Sequence, residues 1–240
     1  MTRTRRRVAT AAVTAIVAAA VAIAVGRREP AAPAPRPAAE RPTLLLLTTL
    51  PLVLPDQFTL KGGSSPALKA LETRYRVVPI SVTDDADLGK GRLLLMAHPL
   101  AQPAEDLVTL DAWVRRGGRV LLLADPALDW PSARSLGDPL RPAPMFMDTG
   151  LLTHWGLRLD APDERGPQEW VLSGYKVVTS SAGRLAGRCK IGEGGLVAQC
   201  RIGQGRATVI ADADFLDAER LGRSANLDAL LAELAKLERP

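Results

Sequence analysis

Residues 93–125 read LLLMAHPLAQPAEDLVTLDAWVRRGGRVLLLAD, and their pattern decides the fold of the chain. Leu93-Leu94-Leu95-Met96-Ala97 and Val120-Leu121-Leu122-Leu123-Ala124 are unbroken apolar runs. Strands buried on both faces, between layers of helix, look like this. Between them Leu107, Leu110, Trp113 and Val114 recur at helical spacing and give one apolar face. Pro103 with Glu105 and Asp106 suits a helix start, where acidic groups meet the positive end of the dipole. Arg115-Arg116 suits the helix end, and Gly117 offers the left-handed conformation that stops it. The span between the runs is long enough for the crossover that joins parallel strands. The stretch therefore predicts a strand, a helix and a second strand of a parallel sheet. His98-Pro99 and Asp125-Pro126 close the two strands.

Outward from this unit, residues 43–48 (TLLLLT) predict a first strand. Residues 64–73 predict a helix capped by Ser64 or Ser65, with Pro66 in its first turn. Residues 76–82 predict a second strand. The β-α-β-β-α-β order predicts an α/β fold, a Rossmann-like or flavodoxin-like three-layer parallel sheet. Residues 129–146, rich in Pro, Gly, Asp and Arg, predict a long loop, and 147–155 a helix ended by Gly156. Further on, 170–172 and 176–179 predict short strands. Residues 196–202 and 206–211 flank Gly203-Gln204-Gly205 and predict a late β-hairpin region added to the sheet. Residues 226–237 (NLDALLAELAKL) predict a closing amphipathic helix.

Residues 1–28 predict a signal anchor. Arg3, Arg5, Arg6 and Arg7 precede an uncharged run over 8–25, followed by Arg27-Arg28. The run is close to the shortest length that spans a bilayer. An uncleaved transmembrane helix is favoured over a cleaved, secreted form, because the run is long for a signal peptide. The basic start predicts a cytoplasmic N-terminus and a main domain outside, in a single-pass protein of a bacterial inner membrane with its domain in the periplasm. Residues 29–42 (EPAAPAPRPAAERP) predict an extended Pro/Ala-rich linker, with the domain over 43–240. The chain holds 31 basic and 26 acidic residues; residues 1–42 take eight Arg and two Glu, which leaves 23 and 24 in the domain. A near-neutral domain has no electrostatic footprint for nucleic acid.

Two stretches carry a family resemblance. One is 93–126, with its strand ending in His98-Pro99, its helix, Gly117-Gly118 and Ala124-Asp125-Pro126. The other is 203–217 (GQGRATVIADADFLD), followed by the helix that begins near Asn226. Together they resemble the extracytoplasmic domain of gliding-motility-type ABC transporter auxiliary proteins (GldG-like), an uncharacterised ABC-type transport system domain similar in fold to class I glutamine amidotransferases. The resemblance implies a membrane-anchored accessory subunit of an ABC-transport-type or gliding-type envelope complex, without the catalytic residues of an amidotransferase. It also implies ABC permease and ATPase subunits as partners.

An amidotransferase needs a nucleophilic Cys on a tight strand-to-helix elbow with a His as base. Cys189 and Cys200 sit neither between glycines nor before a helix. They read as a disulfide across neighbouring strands or as two thiols. Asp212, Asp214 and Asp217 follow an apolar strand and resemble the D-x-D start of haloacid-dehalogenase phosphatases, or a Mg²⁺ site. That motif normally opens its domain, with a lysine and further acids downstream. The plainer reading is of carboxylates that cap a strand end and bond the next loop. His98 and Asp125 end parallel strands, where α/β ligands bind, so His98, Asp125, Asp212 and Asp214 are the pocket candidates. His154 reads as helix surface or core edge, and no paired-histidine spacing for zinc exists. Gly62-Gly63-Ser64-Ser65 before a helix could cradle an anion, but lacks the Walker lysine. The expectation is a chain without catalysis, metal or cofactor. The alternative is a divergent hydrolase, or a small-molecule-binding periplasmic domain, using the carboxyl ends of the parallel strands.

Overall fold

Buried apolar runs set the frame, and their order along the chain is β1 (Thr43–Thr48), α1 (Pro66–Glu72), β2 (Arg76–Pro79), α2 (Asp85–Leu88), β3 (Leu93–Ala97), α3 (Ala104–Arg115) and β4 (Arg119–Leu123). There follow α4 (Leu151–His154), β5 (Leu157–Asp160), β6 (Pro167–Leu172), β7 (Tyr175–Ser180), β8 (Arg184–Gly187), β9 (Lys190–Gly192), β10 (Val197–Ile202), β11 (Gly205–Ile210) and α5 (Ala225–Glu238). This computed structural model describes residues 29–53, 64–135 and 137–239. The chain divides after Ala31, and the architecture below is that of the unit from Ala32 onward.

The main sheet has seven strands in the order β2-β1-β3-β4-β11-β10-β9. β2, β1, β3, β4 and β11 run parallel; β10 and β9 complete the edge antiparallel. Two small sheets, β5-β8 and β6-β7, stand apart from it. This corrects the expected Rossmann-like or flavodoxin-like parallel sheet with an added hairpin. The sheet is mixed, and the hairpin is built into it, because β11 bonds β4 on one side and β10 on the other. The chain reaches β11 from β4 through residues 124–204, which hold β5–β10, instead of through a crossover helix.

Residue alternation splits the strands between two cores. Leu44, Leu46, Leu93, Leu95, Leu121 and Leu123 pack with Leu68 and Leu71 of α1 and with Leu230, Leu234 and Leu237 of α5. Leu45, Leu47, Leu94, Met96, Val120 and Leu122 pack on the opposite face with Leu110 and Val114 of α3. Each fully buried Leu contributes about 1.5–3 kcal/mol of hydrophobic stabilisation. α3 stops as its sequence demands: Gly117 takes φ 104. Its N–H donates to Val114 O at 2.8 Å and that of Gly118 to Trp113 O at 3.1 Å, the paired bonds of a Schellman cap. The β10-β11 turn then presses onto this cap, and a Cβ on Gly205 would lie 2.0 Å from Val114 O. Only glycine permits that approach.

Part of the Pro/Ala stretch lies against this domain. Arg36 N donates to Thr73 O at 2.9 Å, the Arg74 guanidinium donates to Ala34 O, and Arg36 pairs with Glu238 at 2.6 Å. The transmembrane helix expected over 8–25 lies outside the described residues. Among the described residues no helix is long and apolar enough to cross a membrane. The longest of them, α5, has 14 residues, where a bilayer core requires about 20.

Candidate functional site

The carboxyl ends of β3, β4 and β11 bring most of the sequence candidates to one end of the sheet. β4 runs into Asp125, and β11 into Asp212 and Asp214, with the 3-10 turn Asp214–Leu216 following directly. These three side chains are fully buried, and one oxygen from each lies within 4.8 Å of the others. That is the donor set of a hard-cation site. Every oxygen is nevertheless already engaged. Asp125 Oδ1 accepts from Ala127 N and Oδ2 from Ala213 N, both at 2.9 Å. Asp212 Oδ1 accepts from Phe215 N at 2.7 Å and Oδ2 from Ser180 N at 3.1 Å. Asp214 Oδ2 accepts from Asp129 N at 2.7 Å and Oδ1 from Arg220 Nη2 at 3.0 Å. The cluster therefore ties four separate segments to the strand ends, since a buried carboxylate oxygen without a donor is costly.

Burial raises the pKa of all three groups. Asp125 rises to about 6, with backbone N–H donors opposing the rise and Asp129 adding to it. Asp214 rises to about 7, with the Asp129 N–H and the Arg220 charge opposing. Asp212 rises well above the ordinary range, first from burial and then from the charges of Asp125 and Asp214. Like charges held this close cannot all ionise in a low-dielectric interior.

His98 sits in the turn from β3 towards α3 with φ 48, a left-handed conformation that His adopts more readily than most residues. Its N–H donates to Leu123 O at 3.0 Å and its carbonyl accepts from Thr49 Oγ1 at 2.5 Å. The ring is fully buried, with Nε2 2.9 Å from Ala143 O. A carbonyl only accepts, so Nε2 carries the proton. Nδ1 is buried and meets no partner among the described residues. Burial holds the imidazole pKa below its usual value, against the Ala143 bond, which raises it. The structure thus unites Asp125, Asp212 and Asp214, while His98 bonds the loop that crosses the strand end.

The remaining candidates lie elsewhere. Cys189 and Cys200 are joined as a disulfide with Cα atoms 4.8 Å apart, linking the segment before β9 to β10. Asp217 pairs with Arg220 at 3.0 Å. His154 is exposed beside Asp111, at 3.3 Å. Gly62 and Gly63 lie outside the described residues, and Ser65 caps α1 by accepting from Leu68 N at 3.0 Å. Two residues of this region were not anticipated. Arg220 reaches Asp214, Asp217 and Asp129 together. Asn226 accepts from Val178 N at 2.9 Å and donates to Val178 O at 2.7 Å and Phe215 O at 2.9 Å, clamping β7 and the 3-10 turn to α5. The Asn at the start of the last helix was the available signal for this clamp.

No family model matches the chain, and no curated protein sequence does. Solved structures share the fold at low identity. A structure described as the mmIFT52 N-terminal domain aligns at TM-score 0.54 and 13% identity, over 82% of this chain and 99% of that domain. An exo-beta-1,4-mannosidase, Op5Man5 from Opitutaceae bacterium strain TAV5, aligns at TM-score 0.50 and 15% identity over 81% of this chain. This chain spans only 36% of that enzyme's length. The cytoplasmic protein STM3548 from Salmonella typhimurium aligns at TM-score 0.50 and 11% identity over 83% of this chain and all of that one. The fold thus occurs within a longer enzyme as well as in shorter chains. The expected placement, a single-pass inner-membrane protein with a periplasmic domain, is corrected on one finding: among the described residues no helix is long and apolar enough to cross a bilayer.

Proposed function

We propose that the chain is a non-catalytic binding module that acts through protein contacts, as an accessory subunit of an ABC-transport-type or gliding-type assembly. His98 carries this reading. His98 ends an interior parallel strand in a left-handed turn, the place where an α/β nucleophile would stand, although five residues separate it from α3. Here that position holds a fully buried imidazole bonded to a backbone carbonyl. Acyl transfer requires an accessible nucleophile with a base in reach, and both cysteines of the chain are consumed in a disulfide. Each oxygen of the acidic cluster already accepts a hydrogen bond that ties the surrounding segments down. The assignment of an ABC permease and ATPase as partners rests on the GldG-like motifs. Crosslinking of the full-length chain in its native cells, followed by capture and mass spectrometry, tests it. Recovery of a permease and an ATPase is expected, and their absence from repeated captures overturns the assignment.

One observation favours a divergent hydrolase instead: Asp125 and Asp214, at about 6 and about 7, lie in the range of general acid–base groups. Hydrolysis of simple ester, amide or glycoside substrates by the purified chain, abolished in Asp214→Asn with the fold intact, would establish that reading and remove the non-catalytic one.

A further inference from the structure

The opposite end of the sheet has a different character. A cleft of about 850 Å³ opens at the amino ends of β1, β3 and β4, within the size range of ligand clefts. Lys90, Arg92, Arg116 and Arg119 line it, with Trp113 and a single acid, Glu238. Glu238 is already committed, since its carboxylate accepts from Arg36 at 3.2 and 2.6 Å and from the Tyr75 hydroxyl. Lys90 pairs with Asp87 at the rim, and Arg116 stands 3.8 Å from exposed Asp85. Arg119 donates to the Glu238 carbonyl. The exposed Arg92 guanidinium lies beside Gly117 and meets no ion-pair or hydrogen-bond partner among the described residues. Trp113 is fixed as a wall, because its ring lies where a Cβ on Gly118 would be, 2.2 Å away.

We propose that this cleft binds an acidic peptide segment of a partner chain, an inference that rests on the protein-contact reading above. Two physical points select carboxylates over a phosphate group. The amino ends of parallel strands lie beside the carboxyl ends of α2, α3 and α5, so backbone carbonyls, not N–H groups, gather there. Phosphate sites are built from helix N-terminal N–H groups, which this end of the sheet lacks. Guanidinium forks match carboxylates bidentately without backbone help, as they also match phosphate, so the helix-end carbonyls and the open shape of the cleft make the distinction. The basic groups also come from two separate segments, 90–92 and 116–119, along an open cleft, which suits an extended chain with several carboxylates. The Trp113 wall offers a surface for an apolar or aromatic side chain between them.

Fluorescence anisotropy on the full-length chain tests this, with a labelled peptide of alternating Glu and Ser around a central Phe. At about 10 mM salt, where the Debye length is about 30 Å, the peptide binds; at about 0.15 M, where it is about 8 Å, binding weakens. Arg92→Glu and Arg116→Glu each lower the affinity about tenfold or more, since each loses a charge-assisted contact. Arg201→Glu, at an exposed site on β10 outside the cleft, leaves it unchanged. Inorganic pyrophosphate does not displace the peptide. No peptide binding at low salt, equal weakening by all three variants, or displacement by pyrophosphate at concentrations below the peptide's own each overturns the inference. The two readings fail separately. If only the cleft assignment is wrong, Arg92→Glu crosslinks to the same permease and ATPase as the unaltered chain. If the function is wrong, the unaltered chain captures neither.

Discussion

Raising the pH from 6.5 to 8 should destabilise this protein. Asp125, Asp212 and Asp214 hold protons in the folded state that they release on unfolding, where their pKa returns towards 3.8. The folded state then binds more protons than the unfolded one, and stability falls as pH rises. A single group at about 7 loses roughly 0.8 kcal/mol across this interval and one at about 6 roughly 0.2 kcal/mol. Asp212, raised well above its ordinary value, acts in the same sense, and the other two groups alone give a loss of about 1 kcal/mol. His98, held below its usual pKa, acts in the opposite sense: the unfolded imidazole is half-protonated near pH 6.5 and its deprotonation across the window returns roughly 0.4 kcal/mol, less than the carboxyls lose. Asp111 and Asp160 have lowered pKa values, so their favourable contributions are lost only in acid. Urea titrations followed by Trp fluorescence, in EDTA at constant ionic strength, give the free energy at each pH. An unchanged m-value with a falling midpoint is expected. Stability that is level or rising from pH 6.5 to 8 would refute the argument, and would mean that the cluster is ionised when folded.

Arg220→Ala removes the charge that Asp214, Asp217 and Asp129 share. It should cost about 1–3 kcal/mol and steepen the pH dependence above, because Asp214 then holds its proton more tightly; the same urea series reads both. Asn226→Ala deletes three hydrogen bonds from a fully buried site. It should cost about 2–4 kcal/mol, visible as a lower midpoint and as faster amide exchange in β7. Reduction of Cys189–Cys200 opens a loop with sequence separation 11. It should lower stability by about 2–3 kcal/mol in a melt with and without reductant.

Much of the frame could be read from local pattern alone. β1, β3, α3 and β4 announce themselves because a strand buried on both faces has no polar positions to interrupt it, and because α3 carries its own stop signals. The run from Ala207 to Ala211 had the same uninterrupted character, broken only by Thr208, itself buried. That character marks an interior strand, but it does not say which strands lie on either side. The glycine turn suggested an appended hairpin only because a turn specifies its two flanking strands and says nothing of what pairs on their outer side. β5, β8 and β9 have three or four residues each, too short for any period to emerge, and are defined by their partners. At the site, the position of Asp125, Asp212 and Asp214 after apolar strands was informative. What they do was not, since six oxygens are satisfied by N–H groups from segments scattered between Ala127 and Arg220.

The two ends of the parallel strands have thus exchanged their usual roles. In an open α/β sheet the carboxyl ends form the binding crevice, where loops leave room and helix N-termini supply N–H groups. Among the described residues those ends are tied down: Asp125, Asp212 and Asp214 bind loop backbone, His98 binds the Ala143 carbonyl, and Arg220 locks the outer carboxylates. Each bond is a donor or acceptor withdrawn from any ligand. The amino ends normally carry stability, and basic groups there complement helix carboxyl termini. That accounts for Arg119, which reaches the last turn of α5, and in part for Arg92, whose guanidinium lies beside Gly117 at the end of α3 but makes no hydrogen bond there among the described residues and faces an open cleft. A charge left exposed beside an aromatic wall, while every acid near it is engaged, is the strongest remaining indication of a partner. Function in this chain is therefore to be sought at the amino ends of the sheet.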